Sequence, residues 1–382
     1  MRSYFNIKIG DTIQIRKQLF LSFISLSLTL TAWNFSFAAE DRKQCEMLTP
    51  DELRGQIKLD PSCTYTKTMS INSSNTEVDC RGAILDGKGI EQIGVYINSK
   101  GRPLSNVVVK NCIVRNYKKT GVLITSGIPH YKRSNDHEIN YSVSPTRVTL
   151  DHMTIEGSGG VGVFFHSYVT DSTLSNSTVS LSKGAGIYLE QSSKKNTISN
   201  NLIEKNGEWH GPKTGQREGL AIDSSAENLI KGNRFIANWA GGIFMYKNCG
   251  EKFSSGKSII RWQPSDFNVI ENNQFYGEKV GIWVASRQSA NLLKSDCGDK
   301  SMDSEGKYHQ DYANNNSILN NKFCENRVYI KIEGDHNKIK GNVSDKVSGR
   351  WITEPKTMKE RITGVPTLGN VISDNRYEAC DG

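Results

Sequence analysis

Beyond its first forty residues, the 382-residue sequence has no run apolar enough to cross a membrane as a helix. It has no segment of sustained helical periodicity, which argues against a helical bundle or an α-solenoid. It has no Cys-x-x-Cys, so the usual zinc-ligand spacings are missing. It has no Lys/Arg block of the kind nucleic-acid binders carry. It also lacks the fixed leucines of leucine-rich repeats and the aromatic blade signatures of propellers. Charge of either sign is modest. The formal charge is +8; residues 1–39 hold +3 of it, leaving about +5, a balance compatible with an anionic partner such as an acidic polysaccharide.

The start of the chain is set aside from the fold. Arg16 and Lys17 precede the short, Ser/Thr-rich apolar run from Leu19 to Trp33, and Ser36-Phe37-Ala38 offers small residues for cleavage. Residues 1–39 therefore read as a secretory signal peptide, with the mature protein expected in the periplasm or outside the cell. All eight cysteines follow this segment. An even number in an oxidising compartment predicts disulfides, with Cys45–Cys63 and Cys249–Cys297 as candidate pairs and one free buried pair left open.

What is present is a repeat. NTISNN (196–201), NLIKGN (228–233), NVIENN (268–273), NSILNN (316–321), NKIKGN (337–342) and NVISDN (370–375) share Asn, any residue, Ile or Val, two residues, Asn. NVVVKN (106–111) fits the same reading, RVTLDH (147–152) and DSTLSN (171–176) are weaker copies, and NTEVDC (75–80) is read as the first. In this alignment His152 takes a ladder position. The Asn side chains are expected to stack at a turn, each amide bonding its neighbours above and below. Residues 40–74 are read as an N-terminal cap, with a short helix from Leu48 to Gly55 capped by Thr49, and 75–382 as one solenoid domain.

Each repeat also carries a Gly-led apolar strand. In GVGVFFHS, GAGIYLEQS, GLAIDSS and GGIFMYKN, alternate positions after Gly162, Gly186, Gly219 and Gly242 face opposite ways. The first and third (Val163, Ile187, Leu220, Ile243; Phe165, Leu189, Ile222, Met245) form the core face. The second and fourth point outward. With further strands at 121–126, 281–287 and 328–334, the second positions read Leu123, Phe164, Tyr188, Ala221, Phe244, Trp283 and Tyr329, an aromatic row suited to sugar rings. The fourth positions read Thr125, His166, Glu190, Asp223, Tyr246, Ala285 and Lys331, with titratable groups gathered at the centre. Inserts at about 127–146, 207–218, 249–267 and 288–315 are expected to collect on one face. The second brings Trp209, His210, Arg217 and Glu218 toward Asp223. His130 and His137, in the first, are read as exposed.

The repeat, the Asn ladder and the opening NTEVDCRGAILDG resemble the right-handed parallel β-helix of the pectin-lyase-like proteins over roughly 65–380. Within that group the chain is most similar to exported proteins with the short repeats of the alginate C5-epimerase and copper-site-maturation families. The resemblance implies an all-β solenoid acting on polysaccharide. The epimerase motif Asp-Pro-His-Asp is absent, so no catalytic role transfers residue by residue.

From the residues, His166, Glu190, Asp223, Tyr246 and Arg217 are the candidate catalytic groups. Phe164, Tyr188, Trp209, His210, Phe244, Lys247, Trp283, Arg287, Tyr329 and Lys331 are the candidate substrate contacts. In one chemistry a uronate carboxylate is neutralised by Arg217, Lys247 or a calcium ion on Glu190 and Asp223, and His166 or Tyr246 takes the proton α to it, giving a lyase or a C5-epimerase. In the alternative, Glu190 and Asp223 are the carboxyl pair of a glycoside hydrolase. The non-enzymatic alternative is a polysaccharide-binding or structural β-helix; on every reading the protein is expected to be a monomer.

Overall fold

The computed structural model describes residues 42–208, 215–346 and 351–380. The signal segment, Trp209 and His210 lie outside the described residues. The chain winds through three sheets of twelve, eleven and ten strands, and the named strands within each pair in parallel. One coil shows the logic. Thr173–Ser175 lies in the eleven-stranded sheet, Thr178–Ser180 in the twelve-stranded one and Ile187–Glu190 in the ten-stranded one. Two residues turn the first corner and six the second. Each strand sends alternate side chains inward, so Leu174, Val179, Ile187 and Leu189 fill the interior and are fully buried. Coils stack at about 4.8 Å. Like side chains then meet rung upon rung, as in the near-parallel Phe235, Phe275 and Phe323 stack, with centroids 4.9 and 4.8 Å apart.

The five-residue spacing builds three ladders, one at each corner. Asn196, Asn228, Asn268, Asn316, Asn337 and Asn370 form the first, and Asn201, Asn233, Asn273, Asn321, Asn342 and Asn375 the second. Asn206, Asn238, Glu278 and Asn326 form a third. Asn233 is representative. Its Oδ1 accepts Asn201 N and Nδ2 at 3.0 and 2.9 Å, and its Nδ2 donates to Ile198 O and Asn273 Oδ1. No polar atom of that buried amide is left unmatched, where an orphan costs roughly 1–3 kcal/mol.

The earliest segments enter this register one residue later than the sequence suggests. Strand pairing puts Val107, Val148 and Ser172 on the Asn196 ladder. Met153 and Ser177 lead to Asn201, so His152 is not a ladder residue. Asn106, Asn111, His152 and Asn176 occupy the position just before the ladder, at φ between 49° and 57°. Asn is favoured there because it tolerates the left-handed region. Two physical demands, a stackable amide and a left-handed turn, use the same letter in adjacent columns.

The expected cap is itself part of the stack. Lys43–Cys45, Gln56–Lys58, Cys63–Tyr65 and Met69–Ile71 join the three sheets. The helix expected from Leu48 is one turn: Leu53 N donates to Thr49 O, Glu52 Oε2 closes back on Thr49, and Leu53 is driven into the open end. At the other end Trp351 packs on Phe323 and Tyr329. Disulfides join Cys45–Cys63, Cys80–Cys112, Cys249–Cys297 and Cys324–Cys380, with no free cysteine among the described residues. Among those residues no helix is long and apolar enough to cross a membrane.

Three inserts leave the ten-stranded sheet at one edge, after Thr125, Tyr246 and Val284, and the insert ahead of Glu218 enters it at the other. The outer face of this sheet is therefore walled on both sides.

Candidate functional site

Strand pairing aligns the outward residues as the Gly frame requires. Phe164, Tyr188, Ala221, Phe244 and Trp283 lie in one column, and Thr125, His166, Glu190, Asp223 and Tyr246 in the next. The frame holds because a Cβ at Gly162, Gly186, Gly242 or Gly281 would come within 2.5–2.7 Å of the carbonyl of the following rung. The inserts then sort these columns into three neighbourhoods.

The central one is a recess. Ala221 is the smallest side chain of the aromatic row, and the gap it leaves between Tyr188 and Phe244 opens a pocket of ≈ 170 Å³ continuous with an outer one of ≈ 380 Å³. Arg217, Glu218, Tyr246, Glu251 and Arg287 line both. Phe244 and Trp283 line the outer part, packed edge to face at 5.3 Å. The Arg287 guanidinium lies 4.6 Å from the centroid of the Tyr246 ring and pairs with Glu251. Burial alone would lower the pKa of Arg287, but Tyr246, Glu251 and Asp223 hold it above its ordinary value. Burial pushes the Glu218 carboxyl upward, with Arg217 opposing. Burial, then Asp223 and Glu218, push the Tyr246 hydroxyl upward, so it stays protonated. Asp311, itself pushed up to about 7 by burial, accepts the backbone N–H groups of Lys247 and Arg287 and fixes the insert that carries Arg287.

Asp223 lies beneath the recess, lines neither part of it and is closed to substrate. Its carboxylate accepts Tyr188 OH at 2.6 Å, Ser224 Oγ at 2.8 Å, and Asn248 N and Nδ2 at 3.1 and 3.2 Å. It is fully buried, and burial raises its pKa. Its effect on the recess runs through Tyr188, whose own pKa rises well above the ordinary value through burial and then the Asp223 charge. Phe164 stacks on the back of Tyr188 at 5.1 Å, interplanar angle 6°.

His166 and Glu190 belong to a second neighbourhood, roofed by the first and third inserts, and neither lines the recess. The Glu190 carboxylate meets Arg261 Nη2 at 3.1 Å and His166 Nε2 at 3.3 Å. Thr125 Oγ1 accepts Gly127 N–H and lies 3.0 Å from His166 Nδ1, an arrangement that leaves the imidazole proton on Nε2, facing Glu190. Burial, then Arg133 and Arg261, push His166 down to about 3; the same three causes push His130 down to about 4. His130 is half-buried with its ring 6.2 Å from that of His166, and His137 is stacked on Trp262 at 4.2 Å, so the expected exposure of both is corrected. Sequence pattern offered no signal for Arg133 and Arg261, because inserts have no period.

The third neighbourhood lies toward the C-terminus. Lys247 is turned to Asp299, and the Trp283 ring is covered by Lys331 Nζ at 3.9 Å. The strand from 328 sits two residues out of the expected frame. Lys331 pairs with Trp283, so Tyr329 falls at the Gly column, points inward and donates to Asp345 at 2.6 Å. Tyr329 is thus no substrate contact, and buried Glu333 replaces Lys331 in the outer column. Ala285 turns into the core.

A cation does not fit these groups. Glu190 already holds Arg261, and Asp223 is filled by four donors. Among the described residues no group of three or more His, Cys, Asp or Glu is placed to hold a metal ion. The two imidazoles nearest each other lie beside two guanidinium groups, which repel a copper ion as they would calcium.

Residues 130–259 match the family model of the right-handed β-helix region, and residues 213–376 that of the periplasmic copper-binding protein NosD. No curated protein sequence matches the chain. Among solved structures, the Azotobacter vinelandii mannuronan C-5 epimerase AlgE4 A-module is similar with TM-score 0.54 at 13% identity, over 88% of this chain and 86% of that one. The AlgE6 A-module of the same organism gives 0.49 at 12% identity, over 88% and 89%. The alginate lyase of Paenibacillus sp. FPU-7 gives 0.41 at 12%, over 88% and 98%. The chain is a right-handed parallel β-helix of the pectin-lyase-like kind.

Proposed function

We propose that this is an exported enzyme that binds a uronate residue of an acidic polysaccharide in the recess beside Ala221 and removes the proton α to its carboxylate. The observation that carries the reading is the shared lining: two arginines, two tyrosines and one buried carboxyl group converge on a gap in an aromatic row. Arg217 and Arg287 offset the charge that builds on the carboxylate as the carbanion forms, the step that otherwise makes this proton hard to remove. Glu218, its basicity raised by burial, is the group best suited to accept the proton. Tyr246, held protonated, is the donor, while Tyr188 gives its one proton to Asp223 and walls the recess. Return of a proton to the opposite face of the same carbon gives epimerisation; departure of the glycosidic oxygen gives β-elimination. Hydrolysis by Glu190 and Asp223 is disfavoured because one is in an ion pair and the other is enclosed. Four disulfides and the signal-like first 39 residues support action in an oxidising compartment.

The test is incubation of the mature protein with alginate, polygalacturonate and hyaluronan, reading unsaturated-uronate absorbance, reducing ends and deuterium uptake at C5 together. Arg287→Ala, Glu218→Gln and Tyr246→Phe are expected to lose the activity, and His166→Ala to keep it. Reducing ends without absorbance would replace this chemistry with hydrolysis. Loss in His166→Ala with activity retained in Arg287→Ala would move the site to the second neighbourhood.

A further inference from the structure

The same edge of the ten-stranded sheet carries a second concavity, a trough of ≈ 680 Å³. It exists because of glycine. Where neighbouring rungs carry Lys118 and Lys183, the rung between them carries Gly157 and Gly159. Gly159 is obligatory, since a Cβ there would stand 2.2 Å from Lys118 O. The floor is therefore bare backbone, and its N–H groups are already used: Gly159 N donates to Tyr117 O and Lys183 N to Ser158 O. Lys88 closes the N-terminal end, and no Asp or Glu lines the trough. Lys118 and Lys183 are exposed, and among the described residues no ion pair to either is formed. Lys88 shares Asp86 with Arg115, leaving the wall cationic. The trough borders the recess. Gly159 and Lys183 line the one, and two and one residues further along the chain Val161 and Gly184 line the other.

We infer that this trough binds the part of the anionic polysaccharide that extends from the recess toward the N-terminal coils, with Lys183, Lys118 and Lys88 contacting carboxylates along its length. The inference rests on the reading of the recess as a uronate site. From Lys183 to Lys88 is three coils, roughly 14 Å at the strand spacing, a length that takes several sugar units beyond the one in the recess. A nucleic acid suits the trough less well: its one aromatic residue, Tyr117, is buried, so no ring is offered for base stacking.

The test is fluorescence polarisation with labelled galacturonate trimers and dodecamers on the full mature chain. Lys118→Glu with Lys183→Glu is expected to weaken dodecamer binding on the order of tenfold and flatten its salt dependence, with trimer binding unchanged. Gly157→Asn, which keeps the left-handed backbone that Asn116 adopts one rung away, fills the trough without altering charge and is expected to weaken the dodecamer too. Equal wild-type affinity for trimer and dodecamer, or a dodecamer indifferent to both changes, overturns the trough and leaves the recess reading standing. Dodecamer binding that survives Arg217→Ala with Arg287→Ala but not the lysine reversal keeps the trough and overturns the recess. Single-stranded DNA that binds as tightly, and is lost with the same lysines, overturns the polysaccharide assignment.

Discussion

The corners of the coil and the outer face of the ten-stranded sheet are built from the same rungs, yet they treat polar groups in opposite ways. At the corners an asparagine amide meets its own copy one rung away, and the donors of Asn201 and Asn233 each find an amide or backbone carbonyl oxygen. On the outer face the residue changes at each rung, from Thr125 through His166, Glu190 and Asp223 to Tyr246. Repetition satisfies a buried polar group at no cost in design, so ladders stabilise. Variation leaves groups whose partners must come from elsewhere, and those partners arrive on inserts. A solenoid separates stability from chemistry by choosing where to repeat and where to vary.

That contrast is sharpest in mutation. Arg287→Ala is expected to lower turnover by roughly 10²–10³, the usual cost of deleting one preorganised charge partner of a transition state, with the unfolding midpoint barely moved. Asn233→Leu should do the reverse. It strands the N and Nδ2 of Asn201 and the carbonyl of Ile198, so a loss of about 2–3 kcal/mol is expected in urea unfolding, with turnover per folded molecule unchanged. A ladder variant that lost turnover while remaining folded would break the separation.

The smallest effect is on pH dependence, and it has two limbs. Glu278 stands in a ladder where Asn is the rule, and burial pushes its carboxyl up to about 8. A folded value above the ordinary 4.5 means that its stabilisation is complete below that value and lost as pH rises toward 8. Glu278→Gln should therefore raise Tm at alkaline pH by a few degrees, on the order of 1 kcal/mol. His166 and His130 shift the other way, to about 3 and about 4. Their contribution is present above 6.5 and lost as pH falls through those values, so His166→Gln should make the acid limb shallower. Differential scanning from acid to alkaline pH reads both; an acid limb unaffected by His166→Gln would place its origin outside the second neighbourhood.

Much of the architecture was legible in the chain. The strand period gave both faces of the ten-stranded sheet, and the Gly column gave its register from Gly121 through Gly281. The reading failed at the two ends for physical reasons. At 328–332 the Gly column ends, because fewer rungs follow and Tyr329 can fill the space under Trp351. At 106–111 and 147–152 the left-handed turn position was taken for the ladder position, because Asn satisfies both. The candidate site was legible as a column and not as a cavity. Ala221 was visible as a small residue, but nothing in a linear pattern shows that its neighbours' rings leave a gap.

Periodicity by itself determined that the chain coils, which side chains face the interior, and that His166, Glu190, Asp223 and Tyr246 stand in file, since all of these follow from strand geometry and near-neighbour stacking. The tertiary structure alone decided what each member of that file does. Arg261 reaches Glu190 across 71 residues and Arg287 lies over Tyr246 across 41, both on inserts held by Cys249–Cys297 and Asp311. Aperiodic segments carry no register, so their charges find their partners only when the whole wall is assembled.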